Sequence, residues 1–259
     1  MKGILNNMNI STITVTYDND LNFLKYNLKS FDKFCKGYDR NVVVLDDIGS
    51  KKTEDYLNSI NQEFFINHEA KKIHRGYIRQ QYIKLFSEQY FPKNTDYICH
   101  VDSDNIFTDH HDPSIYFKNN KPILGITKWK DMQVTAWREH TDRAVGFKTS
   151  HEYMRRMPLI YPTWLFPDFR DYLNSLHTEG IINFLNSTKT FSEYNALGAY
   201  AYKYHKDEFY WIDTHSQKEE WHKIYHGTPC KQYSNRKEAQ PHRYVDLSQP
   251  DNVISNLFK

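Results

Sequence analysis

Two carboxylates two residues apart, Asp102 and Asp104, close an apolar run and are the side chains of this sequence best placed to do chemistry. The run, Tyr97 to Val101, is short, apolar and partly β-branched, the pattern of a strand covered on both faces of a sheet. Residues two apart on an extended chain point the same way, so both carboxylates can be aimed at one point just past the strand's carboxyl end. Open α/β sheets bind their ligands there. Converging carboxylates repel unless a cation or a shared proton lies between them, and hard oxygen ligands suit Mg²⁺ or Mn²⁺ carrying a phosphate. Asp-x-Asp by itself is common, and a polar turn after a strand reads the same way.

The elements that must position this pair follow a strand–helix rhythm. Ile10 to Thr16, rich in Ile, Val and Thr, reads as a first strand, and Tyr17-Asp18-Asn19-Asp20 as the turn into a helix whose Leu21, Leu24, Leu28 and Phe31 share one face. Val42 to Leu45 is a second buried strand, stopping at Asp46-Asp47. A short helix over Thr53 to Ile60 and a third strand over Glu63 to Ile66 follow. The next helix starts near Gly76, with Ile78, Tyr82, Leu85 and Phe86 as its apolar face and Arg75, Arg79, Gln80 and Lys84 on another side or at its leading end. Such alternation predicts a parallel sheet flanked by helices, with two strands ending in aspartates.

Beyond Phe107 the rhythm changes. Ile123 to Thr127 and Gln133 to Trp137 read as strands that can pair antiparallel, and Met157 to Asp168, with three prolines, reads as a long functional loop. Helices resume over Phe169 to Leu176 and, after Ser192 as N-cap, through Tyr204; Tyr210 to Ile212 is the last strand expected. From Asp213 onward the chain is histidine-rich and weakly periodic.

Composition narrows the classes. With 34 basic and 32 acidic side chains the formal charge is +2, too even for a nucleic-acid partner or a surface held to membranes by charge. No apolar stretch is long enough for stable membrane insertion, and no secretory signal is evident near Met1, so a soluble cytoplasmic protein is expected. Three cysteines at unrelated spacings suggest neither a disulfide framework nor a zinc cluster. The absence of Gly-x-Gly-x-x-Gly after the first strand disfavours a dinucleotide site. Aromatic content of 16%, with 20 Tyr, suits sugar or base recognition and equally an ordinary core.

In combination, Ile13 to Tyr17, the acidic end of Val42 to Asp47 and the Asp-Ser-Asp of Tyr97 to Asp104 resemble the GT-A glycosyltransferases. Gly76 to Gln81 with Lys84, and Ser192-Glu193-Tyr194 with Gly198 to Tyr200, are similar to a branch of small soluble capsule-type or virus-encoded enzymes, the latter acting in a host cytoplasm. The resemblance implies a single Rossmann-like GT-A domain over 1–259, nucleotide-sugar binding to about residue 110 and acceptor binding beyond it. It implies a nucleotide-sugar donor, a UDP-sugar by family weight, and a glycan or glycoprotein acceptor hydroxyl. It places Mn²⁺ or Mg²⁺ on Asp102 and Asp104, with His226 as third ligand and His215 and His222 as alternatives. Thr16, Tyr17, Asp46, Asp47, Arg79, Gln80, Lys84, Asp102, Ser103 and Lys231 would hold the nucleotide and its phosphates. Asp46 and Asp47 can equally be turn-formers before Gly49, and Arg79 and Lys84 simply solvated.

An inverting transferase also needs a general base opposite the leaving diphosphate. Glu193, early in its helix, is the candidate and Asp168 the reserve, although a carboxylate in a first helical turn is favoured by the helix dipole alone. Two other classes compete: a phosphohydrolase using the first Asp of Asp-x-Asp as nucleophile, and a carbohydrate-binding protein without turnover.

Overall fold

The computed structural model describes residues 8–155, 158–235, 237–238, 240, 242–249 and 252–258, apart from the side chain of His226. In chain order the elements are β1 (Ile10–Thr16), α1 (Leu21–Phe34), β2 (Asn41–Asp46), α2 (Lys51–Ser59), β3 (Phe64–Asn67), α3 (Gly76–Leu85), β4 (Tyr97–His100), β5 (Asn105–Phe107), β6 (Phe117–Lys118) and β7 (Lys121–Lys128). They continue with α4 (Arg138–Val145), β8 (His151–Glu152), β9 (Leu159–Pro162), α5 (Leu165–Leu176), α6 (Ile181–Ser187), α7 (Glu193–Tyr204), β10 (Tyr210–Asp213), α8 (Lys218–Gly227) and β11 (Cys230–Gln232).

The central sheet has the order β3-β2-β1-β4-β9, with the first four strands parallel and β9 antiparallel to β4. Successive side chains of a strand leave on opposite faces, and β2 uses both. Val43 and Leu45 pack with Leu24 and Leu28 of α1 and Leu57 of α2, whereas Val42 and Val44 join Ile78 and Tyr82 of α3 and Phe166 and Leu197 from α5 and α7. The expected α/β class, a mostly parallel sheet flanked by helices, is what these contacts build. A second sheet, β10-β7-β6, and a short β5–β11 pair complete the strand pairing. No helix among the described residues is long and apolar enough to cross a membrane.

Two expectations for the second half are corrected. Gln133 to Trp137 forms no strand: residues 133 to 136 are exposed, so the alternating pattern has no sheet face to cover, and α4 starts directly after Trp137. The strands beside β7 are instead β6 and β8, antiparallel, and β10, parallel. The proline-rich stretch is not a long loop. Leu159–Pro162 is buried β9, an edge strand carrying Pro162 at its end where a missing N–H is tolerated. Pro167 lies in the first turn of α5, whose amides have no intrahelical acceptor to lose. Met157 lies outside the described residues. Tyr210–Asp213 is a strand as expected, though β11 follows it.

Candidate active site

The carboxyl ends of β1, β2 and β4 lie side by side because the three strands run parallel in adjacent positions. Thr16, Asp46 and the turn from Val101 to Asp104 therefore share one edge of the sheet. The amide of Asn105 donates to Asp102 O at 2.9 Å and closes that turn. Buried Asn27 of α1 braces it by donating to Asn105 O at 2.7 Å and to Asp102 O at 3.4 Å.

Lys84 joins the turn to α7. Its Nζ donates to Asp102 Oδ1 at 2.7 Å and lies 3.3 Å from Glu193 Oε1, near enough to pair in charge but not aligned as a hydrogen bond. The Lys84 side chain is only 6% exposed and that of Glu193 only 2%, so water does little to screen the pair. Burial opposes the Lys84 charge, yet Asp102, Tyr194 and Glu193 together hold its pKa well above the ordinary lysine value. Burial pushes Glu193 up to about 7; Lys84 opposes that rise and Asp102 adds to it. Ser192 caps α7 by accepting from Asn195 N at 3.2 Å, and the Glu193 amide donates to Gln81 Oε1 at 3.2 Å, so the base candidate is fixed from α3 as well.

Asp104 faces a different set of partners. Burial and then the neighbouring charge of Asp102 raise it to about 7. Against this stands the amide of Gln232 on β11, whose Nε2 donates to Oδ2 at 3.2 Å and Oδ1 at 3.4 Å. The Arg243 guanidinium donates to Gln232 Oε1, which leaves the amide nitrogen facing the carboxylate. Tyr233 N bonds Asp104 O at 2.9 Å, so the main chain after β11 is tied to the same turn.

This donor set fits a divalent cation. Two carboxylates on one turn, one of them carrying a charge that burial and its neighbour both oppose, are what a hard cation relieves. Among the described residues no group of three His, Cys, Asp or Glu side chains converges. Asp102 and Asp104 would be the protein ligands, and Mg²⁺ or Mn²⁺ held this way fills its remaining positions with phosphate oxygens and water. The side chain of His226 lies outside the described residues; His215 and His222 are exposed.

The other expected residues divide. Thr16 is buried at the end of β1 with no hydrogen-bond partner for its hydroxyl among the described residues; Tyr17 beside it is half-buried, and Ser103 is buried between the two aspartates. Asp46 and Arg79 bind each other: the guanidinium donates to one carboxylate oxygen and Ile48 N to the other at 3.0 Å. Asp47 pairs at the surface with His68 at 3.1 Å and Lys71 at 3.6 Å, and His68 foremost holds it below its usual range. Gln80 is half-buried, but Gln81 is the amide that reaches Glu193. Lys231 is exposed, and on alternating β11 it faces away from the side used by Gln232. Asp168, the reserve base, accepts instead from Tyr200 at 2.8 Å and His205 at 2.7 Å. Lys84 is not the solvated side chain a helical lysine usually is.

The residues missed by sequence reasoning are Gln81, Tyr194, His100, Gln232 and Arg243. A signal existed for the first, since Gln81 and Lys84 are three apart and share a helical face. His100 is buried beside Phe166, ring centroids 5.5 Å apart, with no hydrogen-bond partner for either ring nitrogen among the described residues; burial and then Lys84 keep it neutral.

Fold and site together define a mixed α/β protein that gathers two aspartates, a buried lysine and a buried glutamate at the carboxyl ends of parallel strands. The chain belongs to the family of unknown function DUF6492, whose model matches residues 7–247. No curated protein matches it.

Proposed function

We propose that this protein is a metal-dependent glycosyltransferase of the GT-A type, moving one sugar from a nucleoside-diphosphate sugar, a UDP-sugar by resemblance, to a hydroxyl of a glycan or glycoprotein with inversion. The observation that carries the reading is the convergence of Asp102, Asp104, Lys84 and Glu193 on one sheet edge. The cation held by Asp102 and Asp104 would neutralise charge building on the departing diphosphate. Thr16, Tyr17 and Ser103 line the same edge and would hold nucleoside and sugar, while the Asp46–Arg79 pair stiffens the end of β2.

Glu193 is the base in this reading. As the acceptor oxygen bonds the anomeric carbon, its proton passes to the Glu193 carboxylate, and the bond from that carbon to the diphosphate oxygen breaks with its electron pair leaving on the diphosphate. Tyr77 stands close enough to feel this carboxylate, its phenol being raised in pKa by burial and then by Glu193. Lys84 keeps Asp102 and Glu193 apart in role, neutralising one while leaving the other able to take a proton.

Incubation with Mn²⁺ and a panel of nucleotide sugars tests the proposal. Slow, chelator-sensitive donor hydrolysis supports it. Cleavage of simple phosphate esters instead supports a phosphohydrolase, and neither activity supports a carbohydrate binder.

A further inference from the structure

Tyr77 is 47% exposed, and its ring lies 6.3 Å from that of Trp137, the planes inclined by 32°. Exposed single aromatics are ordinary and need no function. This pair differs in where it stands. Tyr77, Gln81 and Lys84 are spaced four and three residues apart on α3 and so form one stripe along its surface. The inner end of that stripe is the site itself, because Gln81 accepts from the Glu193 amide and Lys84 binds Asp102. Tyr77 is its outer end, about 10 Å away along the helix axis. Trp137 comes from the other side, immediately before α4, a helix that packs on the α7 carrying Glu193. Two partly exposed aromatic rings thus stand at the outer end of the stripe whose inner end is the site, and the segment leading to Trp137 stays exposed with Val134 at 68%.

We propose that Tyr77 and Trp137 form a platform for a pyranose ring of a carbohydrate acceptor, turning one of its hydroxyls toward Glu193. A sugar ring presents C–H groups on its faces and hydroxyls around its edge. An inclined aromatic pair covers the first while leaving the second free for polar groups, and Tyr and Trp do this with little side-chain entropy to lose. This subsite rests on the transferase reading, and its test is kept separate from donor chemistry.

Saturation-transfer NMR with lactose, cellobiose, maltose and N,N′-diacetylchitobiose, without nucleotide or metal, reports binding directly. At least one disaccharide should receive saturation at its ring protons from the wild-type protein. Trp137→Ala and Tyr77→Leu should each weaken that binding at least tenfold, while Trp137→Phe, which keeps an aromatic face, should retain most of it. Equal binding by both deletion variants, or binding of none of the four sugars, overturns the platform. Donor hydrolysis by the wild-type enzyme with Mn²⁺ is read in parallel. Hydrolysis without saccharide binding removes only the platform, and saccharide binding without any donor turnover removes the acceptor role together with the transferase reading.

Discussion

Gln232 reaches Asp104 from 128 residues further along the chain, donating its amide nitrogen to the carboxylate at 3.2 Å. The contact is specific in direction, since Arg243 occupies the oxygen end of the same amide. A residue supporting a ligand in this way tunes its basicity and orientation without touching the ion. Gln232→Leu should therefore weaken Mn²⁺ binding by about tenfold with little change in fold. Titration calorimetry giving the wild-type affinity would show that this amide has no part in the site.

Asp104 itself should be indispensable. Asp104→Asn keeps size but removes the charge that balances a cation, so metal-dependent donor hydrolysis should disappear while circular dichroism is unchanged. Full turnover in excess chelator, or in the Asn variant, would overturn the metal assignment.

Lys84 is predicted to be a stability residue as well as a site residue. Lys84→Met leaves Glu193 buried without its counter-charge and exposes Asp102 to an unneutralised neighbour. Breaking a buried pair by removing one partner costs about 3–5 kcal/mol, and with both side chains almost wholly buried little of this is screened away. Urea unfolding should show a midpoint lowered accordingly; a variant as stable as the wild type would mean the pair contributes nothing net.

The pH dependence has a definite sign. Glu193 has a folded pKa of about 7 against an ordinary 4.5, so between these values the folded state holds a proton that the unfolded chain releases. Its contribution to stability is complete below about 4.5 and lost as pH rises through about 7. Glu193→Gln cannot titrate and should reduce that slope of the stability–pH curve measured in chelator, the remainder coming from Asp104, which is also raised to about 7. Activity should run the other way, rising through the same range as the base deprotonates, with the Gln variant slower by roughly a hundredfold. A variant retaining both the slope and the turnover would exclude Glu193 from each role.

Much of the frame is legible in the sequence, and the reasons are local. β1, β2 and β4 are short apolar runs ended by polar residues, and α7 announces itself through Ser192, so periodicity and capping suffice. Glu193 and the two aspartates are visible for the same reason. Gln133 to Trp137 misleads because alternation without a partner strand has nothing to bury, and β9 is hidden because prolines at a sheet edge and in a first helical turn look like loop prolines. The burial of Lys84 depends on where α7 packs, and the Gln232–Asp104 contact on a strand pairing that local pattern does not encode.

The pairing of β11 with β5 also bears on how the protein is made. Strands, helices and both aspartates of the parallel frame leave the ribosome well before residues 230 to 232, so the acidic turn spends much of synthesis without the Gln232 amide or the Tyr233 main-chain bond. Contacts of such long sequence separation close late, because the loop between them must be ordered first. The Asp-x-Asp turn would then gain its Gln232 and Tyr233 contacts late in folding, after the core around the parallel strands has formed.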